Sequence, residues 1–351
     1  MRGWRLLALT LACLFGASTT VIARPQTQAA PSAANAEQAR GKALASFQSD
    51  LVSVLAPSAA PERLLAAALL ARPLPNQAKI VSFHALIDRA AHADGAGPAE
   101  SWARLADCNP NTRGDCPNTN ALAQLVQQAP DNAAVWLLQL SQDVNASKKD
   151  DARQDLTKAA TAKLYDDYSG IGLQALAGIV STLPPPNATM DPNSAAGAAG
   201  VQTLIVFGSA AGMPQPALRD TAQYCEANAP KDDSIKDDCL KLGKLLEWGS
   251  SPLARSLGLH LREVLNTDAA QQQDAKNARR NLIWQVQNFA ALSLRAQNDK
   301  AKSQHLLALA RSGGTQMSLV LAALHDDGIP TDAPADWQPT QPGNAQQANG
   351  H

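Results

Sequence analysis

This sequence has few aromatic residues and no excess of charge of either sign. Aromatics make up 4% of its 351 residues, and 30 basic residues stand against 31 acidic ones. A chain so balanced has no strong basic field for binding nucleic acid or an anionic membrane surface. Apolar residues reach 45%, with a large share of alanine and leucine, and such a core suits closely packed helices better than sheets.

Motifs for catalysis and for cofactors are also missing. The sequence contains no Gly-x-Ser-x-Gly elbow, no Ser-x-x-Lys pair, no P-loop and no metalloprotease histidine pair. Residues 170–175 match the dinucleotide fingerprint, but a helical segment precedes them where a strand is required, so their glycines are expected to shape a turn. We predict no catalytic residue and no cofactor. An enzyme whose site converges from distant helices is the alternative.

One helical segment carries two histidines at a regular spacing. His84, Asp88 and His92 follow one another at four-residue intervals, so neighbouring members share a helix face. Two helical turns span about 11 Å, and a single metal ion cannot reach all three side chains. The pattern favours a polar stripe with His–Asp hydrogen bonds, and no metal site is predicted.

The N-terminus indicates export. Arg2 and Arg5 precede the apolar run Leu6 to Phe15, and Val21-Ile22-Ala23 supplies the small or compact residues of a cleavage site. The apolar run is short for a membrane span, although an uncleaved anchor is the alternative, and no second run of membrane length follows. Residues 1–23 are therefore predicted to be a secretory signal peptide. The mature protein is expected in the periplasm, without membrane insertion.

Four cysteines remain after signal removal, and an even number in an exported chain indicates disulfides. Four cysteines allow three pairings. Two close pairs each bracket a turn-rich stretch, Asn-Pro-Asn in one and Ala-Pro-Lys in the other. We therefore predict the disulfides Cys108–Cys116 and Cys225–Cys239, each tying the end of one helix to the start of the next. A zinc site would need tighter cysteine spacing.

Apolar periodicity predicts helices along most of the chain. Many short helices with short connections favour an all-α fold of stacked helical hairpins, TPR-like or an irregular α-solenoid, in two halves. Trp337 is expected to fold back from the C-terminal tail. The predicted divisions are a flexible leader (24–36), an N-terminal helical half (37–183), a linker rich in Pro, Asn and Gly (184–200), a C-terminal helical half (201–330) and a disordered tail (331–351).

Start signals place several of these helices. Pro98 and Pro252 suit first helical positions, because a proline there gives up no intrahelical hydrogen bond. Asp131 is expected to cap the helix that follows the Pro130 break. Ser147 with Asp150 resembles a capping box that opens the next helix.

A period of 34 residues, the length of a tetratricopeptide repeat, is found between about residues 99 and 166. It separates Trp102 from Trp136, and the second of these matches the first-helix tryptophan of such a repeat. The small, large and small positions of the following helix are filled by Ala152, Leu156 and Ala159. Asn118 departs from the pattern where a small residue should let the helices approach. The segment thus resembles a partial tetratricopeptide repeat, which implies stacked helix pairs with a concave binding surface.

The layout of the chain also resembles uncharacterised exported α-helical proteins of Gram-negative bacteria. The shared features are a loop that runs from Asp107-Cys108 to Asp115-Cys116-Pro117, the segment Asp238-Cys239-Leu240, and a closing Gly328-Ile329-Pro330 followed by Trp337. This resemblance implies no particular activity.

The densest cluster of polar and aromatic residues is Tyr165, Asp166, Asp167 and Tyr168. It is a candidate lining for a groove between helix pairs, with an ordinary hairpin corner as the alternative. Together with the repeat pattern it favours a periplasmic interaction or scaffold protein whose partner is a protein or a peptide. A carrier of an apolar ligand, with a cavity between helices, is a further alternative.

Overall fold

The computed structural model describes residues 33–108, 116–216 and 218–339, so the predicted signal peptide (1–23) lies outside the described residues. The described residues form helices joined by short connections, with one isolated bridge and no strand, which confirms the all-α prediction. The helices are α1 (Ala33–Leu55), α2 (Pro61–Ala71), α3 (Phe83–Ala91), α4 (Pro98–Arg104), α5 (Thr119–Gln128), α6 (Ala133–Asn145), α7 (Lys149–Thr161), α8 (Ser169–Ile179), α9 (Gly197–Ala210), α10 (Leu218–Asn228), α11 (Asp233–Leu246), α12 (Pro252–Leu265), α13 (Ala269–Ala296), α14 (Lys300–Ser312) and α15 (Gln316–Asp326), with short 3-10 helices at Lys79–Val81 and Asn187–Thr189.

Proline and polar caps begin several helices as their chemistry requires. Pro98 and Pro252 occupy the first positions of α4 and α12, as predicted. The side chain of Ser82 accepts a hydrogen bond from the backbone N–H of Ala85 and so caps α3. Within the described ranges, no helix is long and apolar enough to cross a bilayer.

Two predicted caps are wrong. Asn132, and not Asp131, caps α6, because its side-chain oxygen accepts from a backbone N–H in the first turn at 3.1 Å. The capping box predicted from Ser147 and Asp150 is absent from the start of α7. Ser147 has a left-handed backbone with φ of 60°, and Lys148 holds the cap position without a side-chain hydrogen bond. In both cases the helix starts one residue later than the cap signal predicted.

Helices that follow one another pack as hairpins, most extensively α6 with α7, α11 with α12 and α12 with α13. Contacts between distant parts of the chain then close the fold, since α7 packs on α11 and α14 packs on both α8 and α9. The largest core cluster accordingly contains residues from either side of residues 184–200, such as Leu173 and Leu307. The predicted arrangement in two halves is therefore not confirmed, because the regions on both sides of the linker share one core.

The two glycines of the fingerprint-like segment lie inside α8 and not in a turn, so the turn predicted for them is wrong. A Cβ atom on Gly170 would lie 1.9 Å from the carbonyl oxygen of Gly314, and one on Gly172 would lie 3.1 Å from the side chain of Met213. These glycines therefore allow α8 to approach its neighbours closely. The segment serves packing between helices.

Both predicted disulfides are confirmed. The Cα atoms of Cys108 and Cys116 lie 5.1 Å apart, and those of Cys225 and Cys239 lie 5.9 Å apart. The second disulfide is buried and joins α10 to α11. Closing a loop of its size contributes about 3 kcal/mol to stability in the chain-entropy model. Two disulfides fit an exported protein.

Candidate functional site

The predicted binding corner lies largely inside the protein. Tyr165, Asp167 and Tyr168 are 4%, 0% and 7% exposed, and Asp166 is partly buried. Burial raises the pKa of the Tyr165 hydroxyl well above its ordinary value, with the nearby Asp167 charge adding to the effect. These four residues connect α7 to α8, and little of their polar surface faces solvent.

The start of α6 holds one side of this corner. The Nδ2 of Asn132 donates to the carbonyl oxygen of Asp166 at 2.7 Å and to the hydroxyl of Tyr168 at 3.1 Å. Its Oδ1 in turn accepts from the backbone N–H of Asp166 at 2.9 Å. The ring of Tyr168 also packs on that of the fully buried Trp102, with centroids 5.6 Å apart.

The connection between α11 and α12 holds the other side. The backbone N–H of Asp167 donates to the Ser250 hydroxyl at 3.1 Å, and the backbone N–H of Ser250 donates to the carbonyl of Tyr165 at 3.2 Å. The carbonyl of Ser250 then accepts from the backbone N–H of Met317 at 2.9 Å. The corner is therefore a joint between distant helices, and the alternative of a hairpin corner describes it better than a groove lining.

A groove of about 780 Å³ opens elsewhere, along the exposed side of α6. Its walls come from separate parts of the chain: the end of α2, the residues after α4 and before α5, the second half of α6 with the turn that follows it, and the connection after α9. The lining residues are Arg72, Leu105, Ala106, Cys116, Pro117, Thr119, Leu138, Gln139, Ser141, Gln142, Asp143, Asn145, Ala146, Lys148, Pro214 and Gln215.

Amide side chains form a row along the α6 wall. Gln139, Gln142 and Asn145 follow at three-residue intervals, which places neighbouring members on one helix face. The amide of Gln139 donates to Asp143, and that of Asn145 donates to Ser141, both at a long 3.4 Å. Gln142 has no side-chain hydrogen bond to another described residue. An amide both donates and accepts, so the row offers paired hydrogen bonds to a main chain placed against it.

Arg72 supplies a positive charge at the α2 wall. Its guanidinium lies over the ring of Phe83, 5.5 Å from the centroid, and a Cβ on Gly212 would contact it at 3.5 Å. Burial lowers the pKa of Arg72, because the charged form loses hydration. No carboxylate of the described residues lies within ion-pair distance of it. This guanidinium is therefore available to an anionic group of a ligand.

Two carboxyl groups lie near each other beyond the middle of α6, one on α6 and one on α7. Asp143 and Asp155 are 5% and 4% exposed. Burial, followed by the hydrogen bond and negative charge of Asp143, raises the pKa of Asp155 to about 7. Burial also opposes ionisation of Asp143, but hydrogen bonds from Lys148, Gln139 and Asp155 outweigh it and lower the pKa of Asp143. The ammonium of Lys148 lies 3.1 Å from the Asp143 carboxylate. Asp155 is therefore the member of the pair that takes up a proton more readily, and Asp143 is the member that stays ionised.

A second groove of about 480 Å³ lies on the other side of the α6–α7 connection. Asp143 and Lys148 line both grooves, and Tyr224, Asn228 and Arg153 line the second. Asp155 contributes to neither wall among the described lining residues. The ion pair of Asp143 and Lys148 is thus common to the walls of the two grooves.

The histidine segment forms separate polar contacts. His84 Nδ1 lies 2.9 Å from both carboxylate oxygens of Asp107, whereas His92 Nδ1 lies 2.8 Å from the backbone carbonyl oxygen of Asp88 and 3.5 Å from its carboxylate. Asp88 also pairs with Arg104 at 3.0 Å. Across the described ranges, no three metal-ligating side chains are grouped closely enough to hold an ion. His–Asp hydrogen bonds form as the polar-stripe interpretation expects, although Asp107 replaces Asp88 as the partner of His84.

The groove residues were missed by the sequence reasoning, because no motif joins residue 72 to residues 139–148 and 215. The one local signal was the amide spacing on α6, whose remaining residues are mostly buried and apolar. Comparison with known proteins adds no further guide. No protein-family model, no curated protein and no solved structure matches this chain.

Proposed function

We propose that this chain is an exported periplasmic protein that binds an extended peptide segment of a partner in the groove along α6. Residues 1–23 would act as the signal peptide, and the helix pairs from α4 to α7 would stack in a tetratricopeptide-like manner to form the concave wall. The binding residues in this proposal lie on α6 and α2. Tyr165 to Tyr168 would hold the wall in place.

The row of amide side chains on α6 is the main support for peptide binding. An extended peptide presents N–H and carbonyl groups along its length, and a row of glutamine and asparagine side chains can satisfy both kinds. Gln142 is the best placed of the three, since it lies in the middle of the row and has no side-chain partner among the described residues. A groove lined only by aliphatic side chains would offer no such bonds, and it would suit an apolar ligand better.

Charge adds a preference for acidic segments. Arg72 lies in one wall without a carboxylate partner in the described chain, whereas Lys148 at the other end is already paired with Asp143. A guanidinium recognises a carboxylate through two parallel hydrogen bonds. A bound segment with an acidic group near Arg72 would therefore be favoured over a basic one.

An enzymatic function has less support than peptide binding. Among the described titratable groups near the grooves, Asp155 has a pKa that burial moves close to neutrality. However, Asp155 is buried and lines neither groove, and Asp143 is held by Lys148. A ligand in either groove would meet the ion pair and not a free acid and base.

Selection from a random peptide library tests the proposal. Peptides displayed on phage are selected on the mature chain, and the enriched sequences are then measured by fluorescence anisotropy against single variants. We expect Gln142→Ala and Asn145→Ala each to weaken binding about fivefold, the cost of one lost hydrogen bond. Gln127→Ala, which changes an exposed glutamine on α5, is the matched control and should bind as the native chain does.

Two outcomes would count against the proposal. One is a library that yields no enriched sequence. The other is a set of enriched peptides whose affinities are equal for the native chain and for the Gln142→Ala and Asn145→Ala variants. The second outcome would place the binding surface outside the α6 groove.

A further inference from the structure

A cluster of side chains on α13, far along the chain from the groove, holds a segment of the chain's own C-terminal region. Four of its side chains, Arg280, Asn281, Trp284 and Gln285, contact the non-helical segment that follows α15. We call these four residues the α13 face, and we call residues 330–337 the strap. The strap includes the start of the predicted tail, and Trp337 folds back onto α13 as expected.

Most hydrogen bonds from the α13 face go to the main chain of the strap. Trp284 Nε1 donates to the carbonyl of Pro330 at 2.8 Å, and Gln285 Nε2 donates to that of Thr331 at 2.9 Å. Arg280 donates to the carbonyls of Trp337, at 3.0 Å, and of Pro334. Carbonyl groups belong to every peptide, so these contacts do not require the strap's own side chains.

The prolines of the strap match this set of donors. A proline has a carbonyl but no backbone N–H, so a proline-containing segment needs donors from its receptor and few acceptors. Indole, guanidinium and amide groups of the α13 face supply such donors. The side chain that accepts from the strap is Asn281, whose Oδ1 takes the N–H of Ala333 at 3.1 Å while its Nδ2 donates to Asp332.

One aromatic side chain anchors the strap. The ring of Trp337 meets that of Trp284 edge-on, with centroids 5.3 Å apart, and the Arg280 guanidinium lies 5.8 Å from its centroid. Thr331, Asp332 and Pro334 are exposed. A segment held by one aromatic contact and by hydrogen bonds at the surface has little buried area, so its release costs far less than global unfolding.

From these contacts we infer that the α13 face is a recognition site for proline-containing peptide segments, and that the strap occupies it as an intramolecular ligand. A partner segment that carries prolines and an aromatic residue at the spacing of Pro330, Pro334 and Trp337 would displace the strap. The covalent connection keeps the strap at a high local concentration, so the site stays closed until such a partner is abundant or the strap is weakened. This site is independent of the α6 groove.

A labelled peptide tests the inference. The probe is a fluorescein-labelled peptide with the sequence of residues 329–339, and a second peptide has the same composition in scrambled order. Anisotropy is measured with the full mature chain and with its Trp337→Ala variant, whose strap has lost its aromatic anchor. We expect the variant to bind the native-order peptide at least about tenfold more tightly than the unmodified chain does. Adding Trp284→Ala to the variant should abolish this gain.

A chain that ends at Gly328 is the second receptor, with its helical circular dichroism and thermal transition as the check that it is folded. It should bind the native-order peptide and not the scrambled one. The inference is overturned if neither receptor binds the peptide better than the unmodified chain does. Equal binding of the scrambled peptide would overturn it as well, because the α13 face would then not recognise the spacing of the prolines.

Discussion

Asn132 and Asn145 lie near opposite ends of α6 and show how differently polar residues are used in two regions of this molecule. Asn132 is 2% exposed and joins two helices at the corner through hydrogen bonds at 2.7–3.1 Å. Asn145 is exposed in the groove and makes one long bond of 3.4 Å within its own helix. Polar density along the sequence is similar in both regions. What separates a joint from a binding surface is whether the polar groups already have partners inside the fold.

The largest effect should come from removing the joint. Asn132→Ala leaves a carbonyl, a tyrosine hydroxyl and two backbone N–H groups without their partner, so we expect a loss of about 3 kcal/mol of unfolding free energy. Asn145→Ala, the same change at the other end of α6, should cost less than about 0.5 kcal/mol. Urea unfolding followed by circular dichroism measures both. Equal losses of unfolding free energy in the two variants would contradict the distinction between the corner and the groove.

The next effect concerns the carboxyl pair and depends on pH. The folded-state pKa of Asp155 is raised from 3.8 to about 7, so its burial costs nothing in acid, and the cost grows as pH rises between those values. Asp155→Asn removes the charge and keeps a donor to Asp143. We expect it to stabilise the fold by about 2 kcal/mol at about pH 8 and to change little at about pH 4.

Urea unfolding of the native chain and the variant at both pH values provides this measurement. The difference between the two proteins is compared, because groups that do not interact with Asp155 titrate alike in both and cancel. A stabilisation that is the same at both pH values would show that Asp155 is ionised throughout, and it would contradict the raised pKa of Asp155.

A smaller effect is expected from the charge in the groove. Arg72→Gln removes the positive charge but keeps a polar side chain, and the guanidinium has no carboxylate partner among the described residues. We expect peptides selected on the native chain to bind this variant about tenfold more weakly when they carry an acidic group, the size of one charge-assisted hydrogen bond. Their neutral analogues should bind both proteins alike. Thermal unfolding should be nearly unchanged, since the residue is at the surface.

Local signals predicted the fold well and the site poorly. Pro252 after Ser251 marked the start of α12, and the turn-rich stretches between close cysteines marked both disulfides. Such features depend on neighbours along the chain. The groove depends on Arg72, the row on α6 and Gln215, which come together only when the hairpins stack. The spacing of these residues along the sequence does not indicate that they lie close together in the fold.

The corner was misjudged for the same reason. Four adjacent polar and aromatic residues are typical of a surface, and Asp166 and Asp167 next to each other strengthen that impression. Their partners, Asn132 and Ser250, lie far away in the sequence on both sides. Hydrogen bonds to distant residues turned a stretch that resembled a binding surface into part of the core.

Site-specific photo-crosslinking would test most directly the claim that the α6 groove, and not the corner, receives the peptide. A photoreactive phenylalanine analogue replaces Asn145 in one protein and Leu164, an exposed residue next to the corner, in another. Each protein is illuminated with the same library-selected peptide. We expect a crosslinked product from position 145, lost when unlabelled peptide competes, and none from position 164. A specific product from position 164 alone would contradict the claim and return the binding site to Tyr165–Tyr168.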